Sequence, residues 1–280
     1  MAFIRDLNHL LVVILDSFKQ IGRGRAWLAL FVYASIASVV LLAHYQHLWP
    51  IFYGPVKTIT SLINSNLSDR FYHYPSHFLF LPWFFGWAKL VMGILLEGIF
   101  FGTAALVFWQ AITRSESEGN NFRQALSLWP QLVLVSILLN GLITAASFFL
   151  PQILHESLAG SPRRQLALEL AVLPGIYVFL LGLFYVAIPA VAIYRESFFE
   201  AVGRSLKLFV KRPFSMLTLG FFVMVFPVII SAMANHPDVI IDKFRPELVF
   251  WLLLAGIGVE MVANFFWMYS AARILADEER

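Results

Sequence analysis

Six long apolar runs alternate with short polar segments along the chain. They cover about Trp27 to His44, Pro82 to Ile112, Gln131 to Leu150, Leu166 to Tyr194, Phe214 to Ala234 and Leu248 to Ser270. A helix that crosses a bilayer needs about 20 predominantly apolar residues, and each run is close to that length or beyond it. A barrel strand would take about ten residues of alternating polarity, whereas these runs are continuous. Lipid tolerates only helices and closed barrels, so the pattern predicts helices. The expected fold class is all-α, a polytopic membrane protein with six transmembrane helices. Residues 1–280 read as one integral membrane domain.

The second and fourth runs are longer than the hydrocarbon core, so tilting, kinking or projection is expected. Pro174-Gly175 and Pro189 fall inside the fourth run and predict kinks there. Pro227 sits midway in the fifth. Between the first two runs lies the longest connection, Gln46 to Leu81, in which Pro55–Leu67 predicts a surface helix.

Outside the runs the periodicity changes. Residues 1–26 form an N-terminal segment in which Ile4, Leu7, Leu11, Ile14, Phe18 and Ile21 recur at helical spacing among polar residues. That pattern predicts an amphipathic helix at the cytoplasmic membrane face. Glu196–Lys211 is similar, with Phe199, Val202, Leu206 and Phe209 as its stripe and Glu200 placed to pair with Arg204. Asn121–Trp129 is a shorter version. All three segments precede an outward run. Phe122-Arg123-Gln124-Ala125-Leu126 also resembles Phe198-Phe199-Glu200-Ala201-Val202. These features predict three copies of one unit: interfacial helix, outward span, outer loop, inward span.

Composition supports the membrane reading. The chain has 280 residues, 60% hydrophobic and 13% charged. Ordinary soluble domains are nearer 45–50% apolar and about 25% charged. With no cysteine, disulfides, thiolate metal sites and cysteine nucleophiles are excluded. Charge then orients the spans. Thirteen of the 20 Lys and Arg fall on segments that are inner if the N-terminus is inside, six fall in outer loops, and Lys89 lies within a span. This bias predicts both termini in the cytoplasm. The N-terminal segment is interrupted by Asp16 and Lys19 and does not read as a cleavable signal.

Ionisable groups inside spans are rare and usually mark a function or an interhelical contact. Glu97 is central in the second span, Asn140 in the third and Glu260 in the sixth, with Asn264 one turn further on. Lys89 lies eight residues before Glu97. These residues read as a polar pathway or as interhelical glue. On the outer side, His44 and His47 are three apart, and His73 and His77 four apart. Either pair suits two imidazoles on one metal, although no third ligand is fixed by spacing and His155-Glu156 completes no HExxH pattern. Interfacial aromatic packing is the alternative. At the inner face, Lys19, Arg23, Arg25, Arg204, Lys207, Lys211 and Arg212 suit anionic lipid headgroups or a partner, or simply express the inside-positive bias. No nucleotide or hydrolase fingerprint is present, and no motif names a cofactor.

Pro189 at the end of a span is followed by Ile193-Tyr194-Arg195-Glu196-Ser197, Glu200-Ala201, Ser205-Leu206, a basic turn and a new span. This arrangement, strongest over Ile188–Leu219, resembles bacterial six-span membrane proteins. They include the membrane domain sometimes fused to glycerophosphodiester phosphodiesterases, together with uncharacterised relatives. The resemblance implies the six-span topology and residence in a bacterial inner membrane, and it carries no catalytic residue onto this chain. The expected function is therefore a non-catalytic membrane protein, acting as an accessory or scaffold subunit or a lipid-interacting module. Two alternatives stay open: a transporter or channel with an intramembrane Glu/Asn pathway, and a membrane enzyme with an outer-face histidine metal site. Expected partners are membrane lipid and a protein partner or second copy; nucleic acid is not expected.

Overall fold

The structure is a computed structural model that describes residues 2–22, 24–114, 120–154 and 161–279, side chains at 2–7, 9 and 162 excepted. Among the described residues every element is helical. Six helices are long and apolar enough to cross a membrane: α2 (Gly24–Tyr45), α5 (Ser76–Thr113), α7 (Trp129–Ile153), α8 (Arg163–Tyr194), α10 (Pro213–Ala234) and α12 (Leu248–Glu278). The shorter elements are α1 (Ala2–Lys19), α3 (Pro50–Ile63), α4 (Ser65–Phe71), α6 (Asn121–Ser127), α9 (Phe198–Lys211) and α11 (Pro237–Lys243). The expected surface helix in the longest connection is thus two, α3 and α4, divided at Asn64. The Asn64 side chain accepts from the Leu67 N–H and starts the second helix.

The order short helix, long helix, connection, long helix recurs three times along the chain. The long helices pack in the same threefold sense. The C-terminal halves of α5, α8 and α12 meet one another at the centre, while α2, α7 and α10 each wedge between two of them. Two of the units share local detail. Arg114 and Arg195, which end α5 and α8, both adopt a left-handed conformation, with φ of 56° and 55°. Each is followed by a side-chain cap, Asn120 or Ser197, and then by an alanine, Ala125 or Ala201, that is fully buried.

At this end of the bundle the core is dense and aromatic. Phe101, Phe108, Tyr185, Phe265, Trp267 and Tyr269 are all buried there. Phe108 meets Phe265 and Tyr269 edge-on, with ring centroids 5.0 and 5.4 Å apart. In lipid, such packing and interhelical hydrogen bonds replace the hydrophobic drive of a soluble core.

The prolines act differently from one another. Pro189 has no N–H and its ring crowds the carbonyl of Tyr185, so α8 breaks over 184–186. The groups released there find partners on other helices. Trp267 Nε1 donates to Tyr185 O at 2.8 Å. Ser205 Oγ of α9 donates to Leu183 O at 2.8 Å and accepts from Val186 N at 3.4 Å. Before Pro174 the helix widens into a π turn over Leu168–Val172. A second π turn, Gly93–Glu97, lies in α5 eleven residues past its proline, Pro82. Trp129 Nε1 donates to Leu95 O of that turn at 2.7 Å. Past Pro227, α10 continues unbroken.

Two surface expectations need correction. In α1 the face turned to the bundle carries Leu10, Val13 and Ser17; of the expected stripe, Ile14 packs on the core and the Phe18 ring lies 4.9 Å from that of Phe266, whereas Leu11 and Ile21 are exposed. The helix is apolar on two sides, and periodicity alone did not separate them. The side chains of Ile4 and Leu7 lie outside the described residues. Glu200 does not pair with Arg204. It closes a capping box, accepting from Ser197 N at 2.8 Å and from Ser197 Oγ at 2.7 Å. These two bonds favour its charged form and hold the carboxyl below the ordinary range. Arg204 turns the other way, donating to Glu196 Oε1 at 2.8 Å through Nε and reaching Glu278 at 3.4 Å. Its guanidinium lies 4.5 Å from the Tyr194 ring centroid, so α9 is clamped onto the ends of α8 and α12.

Candidate functional site

Away from the aromatic core the six helices part. The first half of α8 packs on α7 and α10, and the first half of α5 on α2, α4 and α11. A cavity of 840 Å³ opens between α7, α8 and α10. Its walls include Ser147, Tyr177, Glu169 and His236. Ser147 Oγ and Tyr177 Oη share a hydrogen bond of 2.6 Å, and His236 Nε2 lies 3.4 Å from Glu169 Oε2. A second cavity of 120 Å³ runs between α5, α10 and α12. Ser231 and Asn235 line both, so the two spaces adjoin. The second reaches Lys89 and Glu260.

Lys89 Nζ forms an ion pair with Glu260 Oε1 across α5 and α12. One turn along α12, Asn264 joins Lys89, Glu260 and Tyr33 around a further space of 10 Å³. Glu97 lies beyond, at the end of the π turn. Its carboxyl and the Asn140 amide meet over Gly93, where a side chain would collide with Glu97 Oε2 at 3.0 Å. Asn140 Nδ2 is buried and makes no hydrogen bond of ordinary geometry. Glu97 feels the charges of both Lys89 and Glu260, and Tyr33 feels both carboxyls. The structure therefore brings Glu97, Asn140, Lys89, Glu260 and Asn264 into one cluster from three helices. Tyr33 of α2 adds a fourth.

Spacing placed Lys89 and Glu97 on one face of a helix, yet Lys89 pairs across to Glu260. A long side chain selects its partner by tertiary distance. Glu169 and His236 were not singled out by sequence reasoning. Glu169 did carry a signal, being a carboxylate inside the fourth apolar run. His236 carried none.

Of the outer histidines among the described residues, His44, His47 and His77 are buried together, whereas His73 is exposed. Among the described residues no group of three or more His, Cys, Asp or Glu is placed to hold a metal ion. The rings pack against aromatics, His47 lying tilted 4.8 Å from Phe71 and edge-on 5.0 Å from Tyr72 between centroids. His155 and Glu156 lie outside the described residues.

The Nδ1 of His47 contacts His44 O at 3.1 Å, and that of His44 contacts Val40 O at 2.8 Å. A carbonyl only accepts, so both Nδ1 atoms carry the hydrogen. Burial disfavours the charged imidazolium and lowers the His47 value below that of an ordinary histidine. The unfolded chain therefore binds a proton that the folded chain resists. Stability is full above the ordinary histidine value and falls as pH drops through it toward the lower folded value. Melting of the purified protein is expected to shift to lower temperature across that window. His47→Phe should make the profile shallower, and identical profiles for the two proteins would remove His47 as a cause.

The basic residues of the short-helix end are spread over its surface. Lys19, Arg25, Lys207 and Lys211 are exposed, Arg212 is partly buried, and Arg23 lies outside the described residues. Lys19 contacts Asp16 at 3.3 Å, and Arg204 is engaged as described.

Six helices long and apolar enough to cross a membrane, with a charged cluster between them, define a polytopic α-helical membrane protein. No protein-family model, curated protein or solved structure matches this chain.

Proposed function

We propose that the protein is a membrane transporter whose solute enters the cavity between α7, α8 and α10 and whose charged cluster lies at the cavity's inner limit. One observation carries this reading. Adjoining cavities of 840 and 120 Å³ lead from the open half of the bundle to Lys89 and Glu260, and beyond them the aromatic core closes the path. A volume of several hundred cubic ångströms is that of a small-molecule site. Charged side chains at such depth are costly in lipid and tolerable beside a water-filled cavity. The inside-positive bias supports placing the short helices at the cytoplasmic face and the cavity opening outside, with both termini in the cytoplasm of a bacterial cell. Anionic lipid suits the exposed lysines of α1 and α9.

Because the chain has no cysteine, single cysteines report accessibility without background. Ser231→Cys and Gly86→Cys line the cavities, and a side chain at Gly86 meets nothing within 4 Å. A membrane-impermeant thiol reagent added outside cells should label both. Thr103→Cys, within the aromatic core, should stay unlabelled. If Ser231→Cys and Gly86→Cys resist the reagent from either side of the membrane, the path is closed. An accessory-subunit role then fits better.

A further inference from the structure

Beneath the ion pair, the cluster carries an imbalance of charge. Lys89 supplies one positive charge, whereas Glu97 and Glu260 supply two carboxyls, and each carboxyl is within electrostatic reach of the ammonium. The charged and titratable neighbours of Glu97 are Lys89 on its own helix, Tyr33 on α2 and Glu260 on α12; α7 contributes the neutral Asn140. No second cation is available among them. An uncompensated carboxylate inside a span is costly, and a proton or a bound monovalent cation removes that cost.

Space favours the proton. The gap enclosed by Lys89, Glu260, Asn264 and Tyr33 is 10 Å³. That is about the volume at which a single water fits. A hydrated metal ion or an organic cation is too large for it. A proton carried by one water is not. The π turn adds a second observation. It places Glu97 at its C-terminal end, facing Asn140 over Gly93. π turns inside α-helices occur frequently at functional sites.

We propose that Glu97 is an exchangeable proton site, charged from the water-sized gap beside Glu260 and Tyr33, and that the ion which drives transport is H⁺. The proton adds to a carboxylate oxygen of Glu97 and leaves from it, with Lys89 neutralising whichever carboxyl is ionised. This inference rests on the transport reading for its purpose, but its chemistry is tested without transport.

The experiment is infrared difference spectroscopy of the full chain in lipid, titrated with pH and repeated in deuterated water. One carboxylic-acid C=O band that disappears on raising pH and shifts in deuterated water is expected. Glu97→Gln should remove the band. Glu97→Asp, which keeps a carboxyl, should move it without abolishing it. Charge balance makes a second demand. Glu260→Gln leaves Lys89 to Glu97 alone, so the band should titrate about 1–3 pH units lower, and Lys89→Met should shift it upward by a similar amount. Adding Na⁺ at fixed pH should change nothing. The proposal fails if the band survives Glu97→Gln, if Glu260→Gln leaves its midpoint in place, or if Na⁺ displaces it. A failure here with intact cysteine labelling leaves the transporter and removes the proton. Closed cysteines with an intact band leave a structural acid in a protein that does not transport.

Discussion

Lys89→Met is expected to lower the stability of the folded bundle by about 3 kcal/mol, because it strands the Glu260 carboxylate in a helix interface. The figure sits at the lower end for a broken ion pair because both partners keep some exposure, the side chains being 36% and 28% accessible. Most of the loss comes from the partner left behind rather than from the attraction removed. The double variant Lys89→Met with Glu260→Gln should therefore recover most of it. Thermal or denaturant unfolding of the purified protein in one detergent gives all three values. Equal loss in the single and double variants would show that Lys89 contributes through packing and that the pair has no energetic meaning. Solute uptake should fail in both variants, since the double change restores neutrality and not the charged groups.

Gly98→Ala should also be severe for so small a change. Gly98 opens the second half of α5 where it crosses α7. A methyl group there would stand 2.8 Å from Leu132 Cβ and 3.2 Å from Leu132 O. The obstacle includes backbone, so no rotamer change relieves it and the two helices must separate. Overpacking of this kind costs roughly 1–3 kcal/mol. Gly86→Ala twelve residues earlier meets nothing within 4 Å. Removing a glycine from a helix interior there should be neutral or gain up to about 1 kcal/mol. Melting of the two variants side by side makes the test. Equal behaviour would mean that α5 and α7 do not approach at Gly98 as closely as described.

The spans were legible because their information is local. Each apolar run reappears as a helix, extended by a few residues where a polar terminal turn continues it. Thus α12 runs on to Glu278, its last turns held by Arg273 against Asp277 four residues later. The site was legible in part. Glu97, Asn140, Glu260, Asn264 and Lys89 stand out because lipid makes such residues expensive. Tyr33 and Ser231 gave no signal, since a lone hydroxyl in a span is ordinary. The two π turns were equally hidden. One has a nearby proline and the other does not, and both persist because other helices accept the geometry.

Hydrophobic length, the recurrence of amphipathic segments and the list of intramembrane polar residues follow from the amino-acid sequence by itself, since each depends on the free energy of one segment in lipid. Tertiary structure alone decided that Lys89 pairs with Glu260 rather than with Glu97. It also decided that Ser205 and Trp267 satisfy the break before Pro189, that the histidines pack with rings, and that a cavity ends at the charged cluster. Each of these is set by the distance between groups far apart in the chain, and periodicity within a helix does not measure that distance.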